Sequence, residues 1–400
     1  MPSRRAVIGG AGSLLLAALG YRAWDRGAFA LASGRPYVPW DEWRGTALDG
    51  DQRPLRAAIL AASPHDTQPW RFAVSPGAIE VHADRARHLG AFDPFRREMH
   101  LGLGCAIENL VRAAQAFGMT AEVQPTSGRL ELAPGPQPVM AARVALGAGQ
   151  ASRDPLFDAI PRRHTNRGPY RDQPIEAERL RGLADLASGP NLRLAFVSEV
   201  GARRETATVI IAATERIIAD PEMSTDSFRW IRTGRREIWR HRDGVTIETS
   251  GADRLVTIAG KLLPDLDAAK TDRFWLKTTR EVHTATAPVF GTILVRDRLD
   301  MAQAIEAGRA WQRLHLRATA QGLAAQPLNQ PVEMVDRSEM LGRPDEFGRA
   351  LAPLAGANGW EPTFMFRLGR AEREALRSPR RPLEDVVVPG AQGGSPDGHP

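Results

Sequence analysis

Residues 63–72 form the densest polar segment of this sequence and read Ser-Pro-His-Asp-Thr-Gln-Pro-Trp-Arg-Phe. Five of the first six side chains donate or accept hydrogen bonds, which is more than a connecting turn needs. The prolines at positions 64 and 69 interrupt helices, so the segment is predicted to be a loop between a helix and a short strand. These residues alone leave two interpretations open: a ligand-binding loop, or a helix end with an Asx-type turn.

Arginines in the second half of the chain form two further candidate sites. Arg163, Thr165 and Arg167 are spaced i, i+2 and i+4, so their side chains can converge on one point in a turn that enters an extended segment. Two guanidinium groups and a hydroxyl suit a phosphate, because arginine forms bidentate charge-assisted hydrogen bonds. Arg380 and Arg381 add positive charge near the C-terminus. Each cluster taken alone is also compatible with an ordinary solvated surface.

Taken together, four segments resemble the FMN-dependent nitroreductase family. Residues 163–167 (Arg-His-Thr-Asn-Arg) resemble its Arg-Arg-Ser-x-Arg phosphate motif, and residues 63–72 resemble its Pro-Ser-x-x-Asn-x-Gln-Pro-Trp-x-Phe segment. Residues 322–328 are similar to its Gly-Leu-Gly loop beside the flavin ring, and residues 379–384 are similar to its C-terminal Arg/Lys segment. The likeness spans residues 50–388 and is greatest to the Acg-like subfamily, whose single chains contain two nitroreductase-like halves.

The resemblance implies an α+β, nitroreductase-like fold in which two pseudo-symmetric halves of one chain form an intramolecular pseudo-dimer. In the family, each flavin takes its phosphate motif, Gly-Leu loop and C-terminal arginine from one subunit and its Ser/Asn/Gln segment from the other. This chain carries the last segment in its first half and the other three in its second, so we expect a monomer that binds one FMN. The positions that match the cofactor-binding motifs are Ser63, His65, Asp66, Gln68, Arg163, Thr165, Arg167, Gln326, Pro327, Leu328, Arg380 and Arg381.

Three positions depart from the family pattern. Asp66 stands where the family has an asparagine that faces the flavin, and an anion there would disfavour reduced, anionic flavin unless Asp66 is protonated or turned away. His164 replaces the second arginine of the phosphate motif, and Ala324 replaces the second glycine of the loop. His65 is the best candidate for a polar side chain facing the ring, although a helix-capping role explains it equally well.

The resemblance implies an FMN-dependent oxidoreductase. Hydride would pass through flavin N5 to a small nitro, quinone or similar acceptor, and this chemistry needs no side-chain nucleophile or general base. We therefore assign no catalytic residue and expect no metal. The alternative is a protein that sequesters or stores FMN under an occluding segment, with little turnover.

Apolar patterns predict the elements that must position these residues. Helices are predicted over residues 51–62, 96–117, 154–160, 175–187, 200–218 and 302–321. Strands are predicted over residues 72–74, 131–132, 139–146, 192–197, 284–295 and 363–369. This order predicts two α+β halves, residues 51–150 and 151–388. Residues 224–277, rich in Trp and Arg, are predicted to be a lid-like insertion or a peripheral helical hairpin, and the tail 389–400 to be disordered.

The composition is that of a globular protein with a substantial core, 42% hydrophobic and 25% charged over 400 residues. The net charge is +6, but the arginines are interleaved with acidic residues, which argues against a nucleic-acid-binding face. Cys105 is the only cysteine, so an intramolecular disulfide, a CxxC pair and a multi-cysteine metal site are excluded. Its apolar helical context predicts a small core residue rather than a nucleophile.

The N-terminal residues resemble an export signal. Residues 3–8, Ser-Arg-Arg-Ala-Val-Ile, look like a twin-arginine motif, and the uncharged stretch continues to Tyr21. Small residues three and one positions before Ser33 predict a cleavage site there. Residues 1–32 are therefore expected to be a signal peptide or a retained anchor, and residues 33–50 a linker. We expect a periplasmic protein, or one anchored on the outer face of the inner membrane.

Overall fold

The structure is a computed structural model that describes residues 17, 18, 20–44, 50–356 and 359–389. The residues of the predicted twin-arginine motif lie outside this described part, as do residues 390–400 of the predicted disordered tail. Pro389, the first residue of that predicted tail, instead ends a strand. Among the residues it does describe, none of the helices combines the length and the apolar character that crossing a membrane requires.

The helices are α1 (Val38–Glu42), α2 (Leu55–Ala58), α3 (Arg97–Ala116), α4 (Pro155–Ala159), α5 (Ala177–Ala184), α6 (Val200–Ala219), α7 (Pro221–Phe228), α8 (Arg235–His241), α9 (Arg254–Leu262), α10 (Ala268–Thr278), α11 (Met301–Ala320), α12 (Gln330–Met340) and α13 (Glu346–Ala355). The strands are β1 (Trp70–Ser75), β2 (Ala78–Ala83), β3 (Met119–Pro125), β4 (Val139–Ala148), β5 (Leu192–Val197), β6 (Ile231–Arg232), β7 (Val245–Thr246), β8 (Val289–Val295), β9 (Ala324–Pro327), β10 (Glu361–Gly369) and β11 (Val387–Pro389). A π-helical turn, Thr279–Thr284, follows α10.

The first sheet has the strand order β11-β1-β2-β4-β3. Strands β1 and β2 form an antiparallel hairpin in which Trp70 lies opposite Ala83. Gly77 closes the hairpin with a φ of 71°, a conformation that strains any residue carrying a Cβ. The C-terminal β11 pairs parallel with β1, so the end of the described chain returns to the first half.

The second sheet has the order β5-β8-β10-β9 and is antiparallel throughout. Strand β8 is buried at every position, which agrees with its largely apolar sequence and with a central strand covered on both faces. Strand β10 is buried over most of its length. This sheet therefore forms a rigid support for β9, which leads into the candidate site.

The two halves meet where the long helices α3 and α11 cross. A Cβ on Gly308 would lie 2.0 Å from the Leu101 carbonyl oxygen, and one on Gly104 would lie 2.2 Å from a carbonyl oxygen of α11. Beside this crossing, Gln312 Nε2 donates a hydrogen bond to Asn109 Oδ1 at 2.8 Å. The crossing helices place one wall of the candidate site, because Gly102 and Cys105 of α3 and Trp311 of α11 line the same cavity.

Residues 221–278 fold into helices α7 to α10 and the two-stranded β6-β7 sheet. We call these residues the covering layer. Residues 20–25 are helical and contact this layer. Arg22 Nε donates to the Leu262 carbonyl at 2.7 Å, and Arg26 forms an ion pair with Asp265 at 2.8 Å.

The predicted α+β class with two halves is confirmed. The first half supplies every strand of the first sheet except β11, the second half supplies the second sheet, and each half supplies one of the crossing helices α3 and α11. The predicted long helices and the strand at residues 192–197 agree with α3, α6, α11 and β5 to within one residue at each end. Cys105 is a buried core residue as predicted, and burial raises the pKa of its thiol to about 12.

Other predicted elements were wrong in extent. The helix predicted over residues 51–62 contains only α2, which lies between Pro54 and the extended Ser63 before Pro64. The predicted strand at residues 131–132 is irregular, and β8 begins at Val289 because the π-helical turn precedes it. No strand was predicted at the positions of β2, β3, β6, β7, β9 and β11.

Candidate functional site

A cavity of about 510 Å³ lies between the two halves and under the covering layer. Its volume falls within the range of small-molecule sites, roughly 300–1,000 Å³. Aromatic side chains make up part of its wall, namely Phe92, Phe228, Phe274, Trp275, Trp311 and Phe364. Polar residues of the wall include some from the loop at residues 63–66, from residues 163–167, from β9 and the start of α12, and from the covering layer, together with Glu98 and Arg380.

The loop after α2 has a strained backbone. His65, Asp66 and Gln68 have φ angles of 46°, 54° and 49°, in the left-handed region that residues other than glycine rarely adopt. The Ser63 hydroxyl accepts a hydrogen bond from the Gln68 amide at 3.0 Å and so closes the loop on itself. Strain of this kind persists only where the surrounding structure imposes it, and it clusters at functional sites.

Asp66 and Arg380 form a buried ion pair in the cavity wall. Arg380 Nη1 donates to Asp66 Oδ1 at 2.6 Å, and Nη2 donates to the Ala61 carbonyl at 3.1 Å. The guanidinium lies over the Trp40 ring, 4.7 Å from its centroid. Burial raises the pKa of Asp66 to about 7, although Arg380 acts in the opposite direction. The Asp66 carboxyl group therefore titrates near neutral pH.

Arg163 and Arg167 line the same cavity as Arg380. Arg163 is 2% exposed, and its Nε has no hydrogen-bond partner among the described residues. Arg167 Nη1 donates to the Thr249 carbonyl at 3.0 Å. Burial and the Arg380 charge lower the pKa of Arg163 to about 10, so its guanidinium remains cationic at neutral pH. Asp66 is the carboxylate that acts on all three arginines, and the cluster keeps an excess of positive charge.

Two histidines at the site are neutral. Burial lowers the pKa of His65 to about 4, and its Nε2 lies 3.0 Å from the Ser227 hydroxyl of the covering layer. Its ring meets Phe92 edge-on at 4.9 Å, so His65 lines the cavity rather than capping a helix. Burial lowers the pKa of His164 to about 3, and this ring packs against Trp40. His164 therefore adds no charge to the arginine cluster.

Nine of the twelve residues proposed from the sequence line the cavity, namely Ser63, His65, Asp66, Arg163, Thr165, Arg167, Gln326, Pro327 and Arg380. Gln68, Leu328 and Arg381 lie elsewhere. Gln68 Nε2 donates to the Arg242 carbonyl at 2.9 Å, and its Oε1 accepts from the Arg381 amide at 2.8 Å. Leu328 packs in a buried apolar cluster that also contains Phe290 of β8 and Met365 of β10. Gln68 thus ties the loop to the covering layer and to the C-terminal segment.

The polar residues of the cavity wall that the sequence motifs missed include Glu98, Asn329 and Glu333. One signal was present. Glu98 precedes Leu101 and Cys105 by three and seven positions, so it lies on their face of α3, and an acidic residue on an apolar helix face is unusual. Asn329 lies two residues after the end of β9 and Glu333 in the first turn of α12, and no spacing rule identified either residue.

The covering layer is attached to the loop by polar contacts. Asp243, with 3% of its side chain exposed, accepts hydrogen bonds from Arg87 Nη2 and, at 2.9 Å, from Arg232 Nε. The Gly244 amide donates to the Asp66 carbonyl at 3.2 Å. The layer therefore covers the cavity and is bonded to the residue that holds Arg380.

No protein-family model matches this chain, but the chain has sequence relatives among known proteins. The chain is similar to curated proteins from two strains of Mycobacterium tuberculosis, CDC 1551 / Oshkosh and H37Rv, each provisionally named an NAD(P)H nitroreductase. Each is 28% identical over 343 residues, which cover 83% of this chain and 89% of the relative. This similarity agrees with the nitroreductase-like fold predicted from the sequence.

The solved structures to which this chain is similar include two that are named as nitroreductases. One is a protein from Anabaena variabilis that is provisionally named a nitroreductase. The two sequences are 11% identical, and the match covers 84% of this chain and 91% of the Anabaena chain, with a TM-score of 0.47. The other is the FMN-dependent nitroreductase NfnB from Mycobacterium smegmatis in complex with NADPH, which is 17% identical and covers 58% of this chain and 98% of its own, with a TM-score of 0.37.

Proposed function

We propose that this protein is an FMN-binding oxidoreductase of nitroreductase type that passes hydride through flavin N5 to a small nitro, quinone or similar acceptor. The observation that carries the proposal is the buried cluster of Arg163, Arg167 and Arg380 around one carboxylate, Asp66. Three positive charges against one negative charge leave an excess of two. That excess matches a phosphate monoester, which carries about two negative charges at neutral pH.

The residues present fit FMN. Arg163 Nε and Arg380 Nε are buried and have no hydrogen-bond partner among the described residues, so the cluster has donors available for phosphate oxygens. Thr165 adds a hydroxyl to the same wall. Trp311 and Phe364 add apolar surface suited to a flat aromatic ring. We propose that the arginines and Thr165 hold the phosphate, and that the loop at residues 63–66 and β9 border the ring.

The protein's part in the reaction is to bind, orient and adjust charge. Bound FMN supplies the atom that accepts and donates hydride. Asp66 adds a negative charge to the phosphate-binding cluster when it is ionised and none when it is protonated, so the pH sets how strongly the cluster attracts an anion. The name of the curated relatives makes NAD(P)H the first electron donor to test.

The absorbance spectrum of the purified protein with and without added FMN tests this proposal. We expect a bound-flavin spectrum and quenched FMN fluorescence, followed by bleaching with NADPH and recovery on addition of a quinone. A protein that binds no FMN at any concentration would overturn the proposal and favour a structural role for a degenerate site.

A second candidate function is supported by the covering layer, whose contacts through Asp243 and Gly244 hold it against the loop. A layer held in this way favours sequestration of FMN with little turnover. Stopped-flow reduction separates the two functions. Reduction of the bound flavin by a donor that also reduces free FMN supports the enzyme, whereas protection of the bound flavin from every such donor supports storage.

We also propose that the chain is exported by the twin-arginine route and acts as a monomer. The N-terminal sequence supports export, and the contacts of Arg22 and Arg26 with the covering layer favour retention of the N-terminal segment. A reporter protein fused to the first ~35 residues should reach the periplasm. A reporter that stays in the cytoplasm would contradict export.

The monomer is tested by light scattering of the purified full chain, which should give the mass of one chain. The mass of a dimer would contradict the intramolecular pseudo-dimer.

A further inference from the structure

Two carboxyl groups from different helices meet in the cavity wall away from the arginine cluster. Glu98 lies in the first turn of α3 and Glu333 in the first turn of α12, and both line the cavity. They are 7% and 5% exposed, and their carboxyl groups are in hydrogen-bonding contact. Two buried carboxylates in such contact repel each other strongly, so a proton shared between them is the stable arrangement.

The charged groups around this pair do not neutralise it. Arg97 Nη2 lies 4.0 Å from Glu98 Oε1, but Arg97 Nε donates to Asp336 Oδ2 at 2.7 Å. Asp93, which accepts a hydrogen bond from the Glu98 amide at 3.1 Å, adds a further negative charge. Arg97 therefore serves several carboxylates at once, and the pair has no cation of its own among the described residues.

The remaining contacts are those of a pair that holds a proton. The Asn329 side-chain amide donates to Glu98 Oε1, whereas Glu333 Oε2 is buried and has no hydrogen-bond partner among the described residues. Burial raises the pKa of Glu98 to about 7 despite the nearby Arg97. Burial and the Glu98 charge raise the pKa of Glu333 well above its ordinary value.

The pair is adjacent to the segment that the resemblance places beside the flavin ring. Strand β9 ends at Pro327, which lines the cavity, and Asn329 follows two residues later and holds Glu98. The Asn329 side-chain oxygen accepts a hydrogen bond from the Met365 amide of β10 at 3.0 Å, which fixes its orientation. The second sheet therefore holds the carboxyl pair in place in the wall of the cavity.

We propose that Glu98 and Glu333 form a proton-donor site that delivers their shared proton to an acceptor of quinone type bound in the cavity. A quinone that receives a hydride becomes a hydroquinone anion; the carboxyl O–H bond then breaks and the second hydroquinone O–H bond forms. The electrons come from reduced FMN, and the pair takes up a new proton from solvent. This inference rests on the function proposed above, but the shared proton itself does not require FMN.

Infrared difference spectra of the full chain without added flavin test the shared proton. We expect a protonated-carboxyl C=O band that shifts in D₂O and disappears as the pH rises. The band should change in frequency in Glu98→Gln and in Glu333→Gln, because each substitution removes one of the two carboxyl groups that share the proton. Glu108→Gln is the matched control, because Glu108 is buried but is paired with Arg112 at 2.7 Å and does not line the cavity. A wild-type spectrum without this band would overturn the proposal.

Oxidation of the pre-reduced holoprotein by benzoquinone tests delivery of the proton. In the wild type, the rate constant should be highest at acidic pH and fall once the pH has risen past the raised pKa values of both members of the pair. Glu333→Gln should lower it about 100-fold at acidic pH and remove the pH dependence, since general acids contribute on that scale. Glu98→Gln should behave similarly, and Glu108→Gln should match the wild type.

Equal rates in wild type and Glu333→Gln, with FMN bound in both, would overturn proton delivery and leave the proposed function intact. A wild-type protein that binds no FMN would instead overturn the proposed function and the delivery step together. The infrared band would in that case still decide whether the pair shares a proton. Thermal melts of each variant, compared with the wild type, identify any loss of rate that comes from unfolding.

Discussion

Arg380 Nη1 and Asp66 Oδ1 lie 2.6 Å apart in the cavity wall although the two residues are 314 positions apart in the sequence. Their contact joins the strained loop of the first half to the C-terminal segment of the second. Asp66 is also where the family resemblance leads one to expect a neutral amide. A carboxyl group here reduces the positive charge of the phosphate-binding cluster, and it does so to a degree that depends on pH.

We expect the affinity for FMN to fall as the pH is raised from slightly acidic to slightly alkaline values. Below its pKa of about 7, Asp66 is neutral and the three arginines attract the phosphate unopposed; above it, the carboxylate repels the phosphate. The affinity for FMN should fall by about tenfold, because a change of one unit in the pKa of Asp66 on binding corresponds to a tenfold change in affinity. Fluorescence titrations should show that Asp66→Asn removes this dependence and keeps the higher affinity. Asp84→Asn is the control, because Asp84 is buried and paired with Arg71 outside the cavity lining. A pH dependence that persists in Asp66→Asn would contradict this role.

Arg163→Ala should weaken FMN binding strongly. The substitution removes a charge-assisted contact worth roughly 1.5–3 kcal/mol, which corresponds to a loss of about tenfold or more in affinity. Arg381→Ala is a matched control, because Arg381 bonds to the Gln68 and Asp385 carbonyls and does not line the cavity. Calorimetric titration should show a large loss for the first variant and little change for the second. Unchanged affinity in Arg163→Ala would remove that residue from the phosphate site.

Asp243→Ala should loosen the covering layer. The substitution leaves Arg87 and Arg232 without their shared carboxylate, and breaking a buried ion pair costs about 3 kcal/mol. We expect faster hydrogen exchange in residues 221–278, faster release of FMN and faster reduction by external donors. Asp243→Asn keeps the hydrogen-bond acceptor and should show a smaller change. Exchange and release rates identical to the wild type in Asp243→Ala would show that these contacts do not hold the layer.

Gly308→Ala should destabilise the crossing of α3 and α11. Its Cβ would meet the Leu101 carbonyl oxygen at 2.0 Å, so the helices must separate, and we expect a cost of about 1–3 kcal/mol in the free energy of unfolding. Gly182→Ala in α5 is the control: no atom lies within 4 Å of its added Cβ, and a gain of roughly 0.5–1 kcal/mol is expected. Urea unfolding measures the free energy of unfolding of both variants. If Gly308→Ala leaves that free energy unchanged, the helices can separate without cost.

The sequence alone predicted the parts of the site that depend on local patterns. The loop at residues 63–66 and the arginines at positions 163 and 167 belong to dense polar segments, and they line one cavity as expected. Gln68 shows the limit of such reasoning. It belongs to the same motif, but the backbone turns its side chain toward the Arg242 carbonyl and the Arg381 amide, which are far away in the sequence.

The features that the sequence did not predict depend on pairing between distant segments. Strand β11 is three residues long and exists because β1 offers an edge to pair with. The contact between Glu98 and Glu333 requires two helix starts to meet, and neither helix pattern specifies the other. The helix predicted over residues 51–62 is short because the chain must bend to bring Ser63 and Asp66 to the cavity.

The most direct test of the central claim compares the binding of FMN and riboflavin, which differ only in the phosphate. If the buried arginine cluster is a phosphate site, FMN should bind at least about tenfold more tightly than riboflavin, and Arg163→Ala should remove most of that difference. Equal affinities of the wild-type protein for the two flavins would contradict the assignment of the cluster.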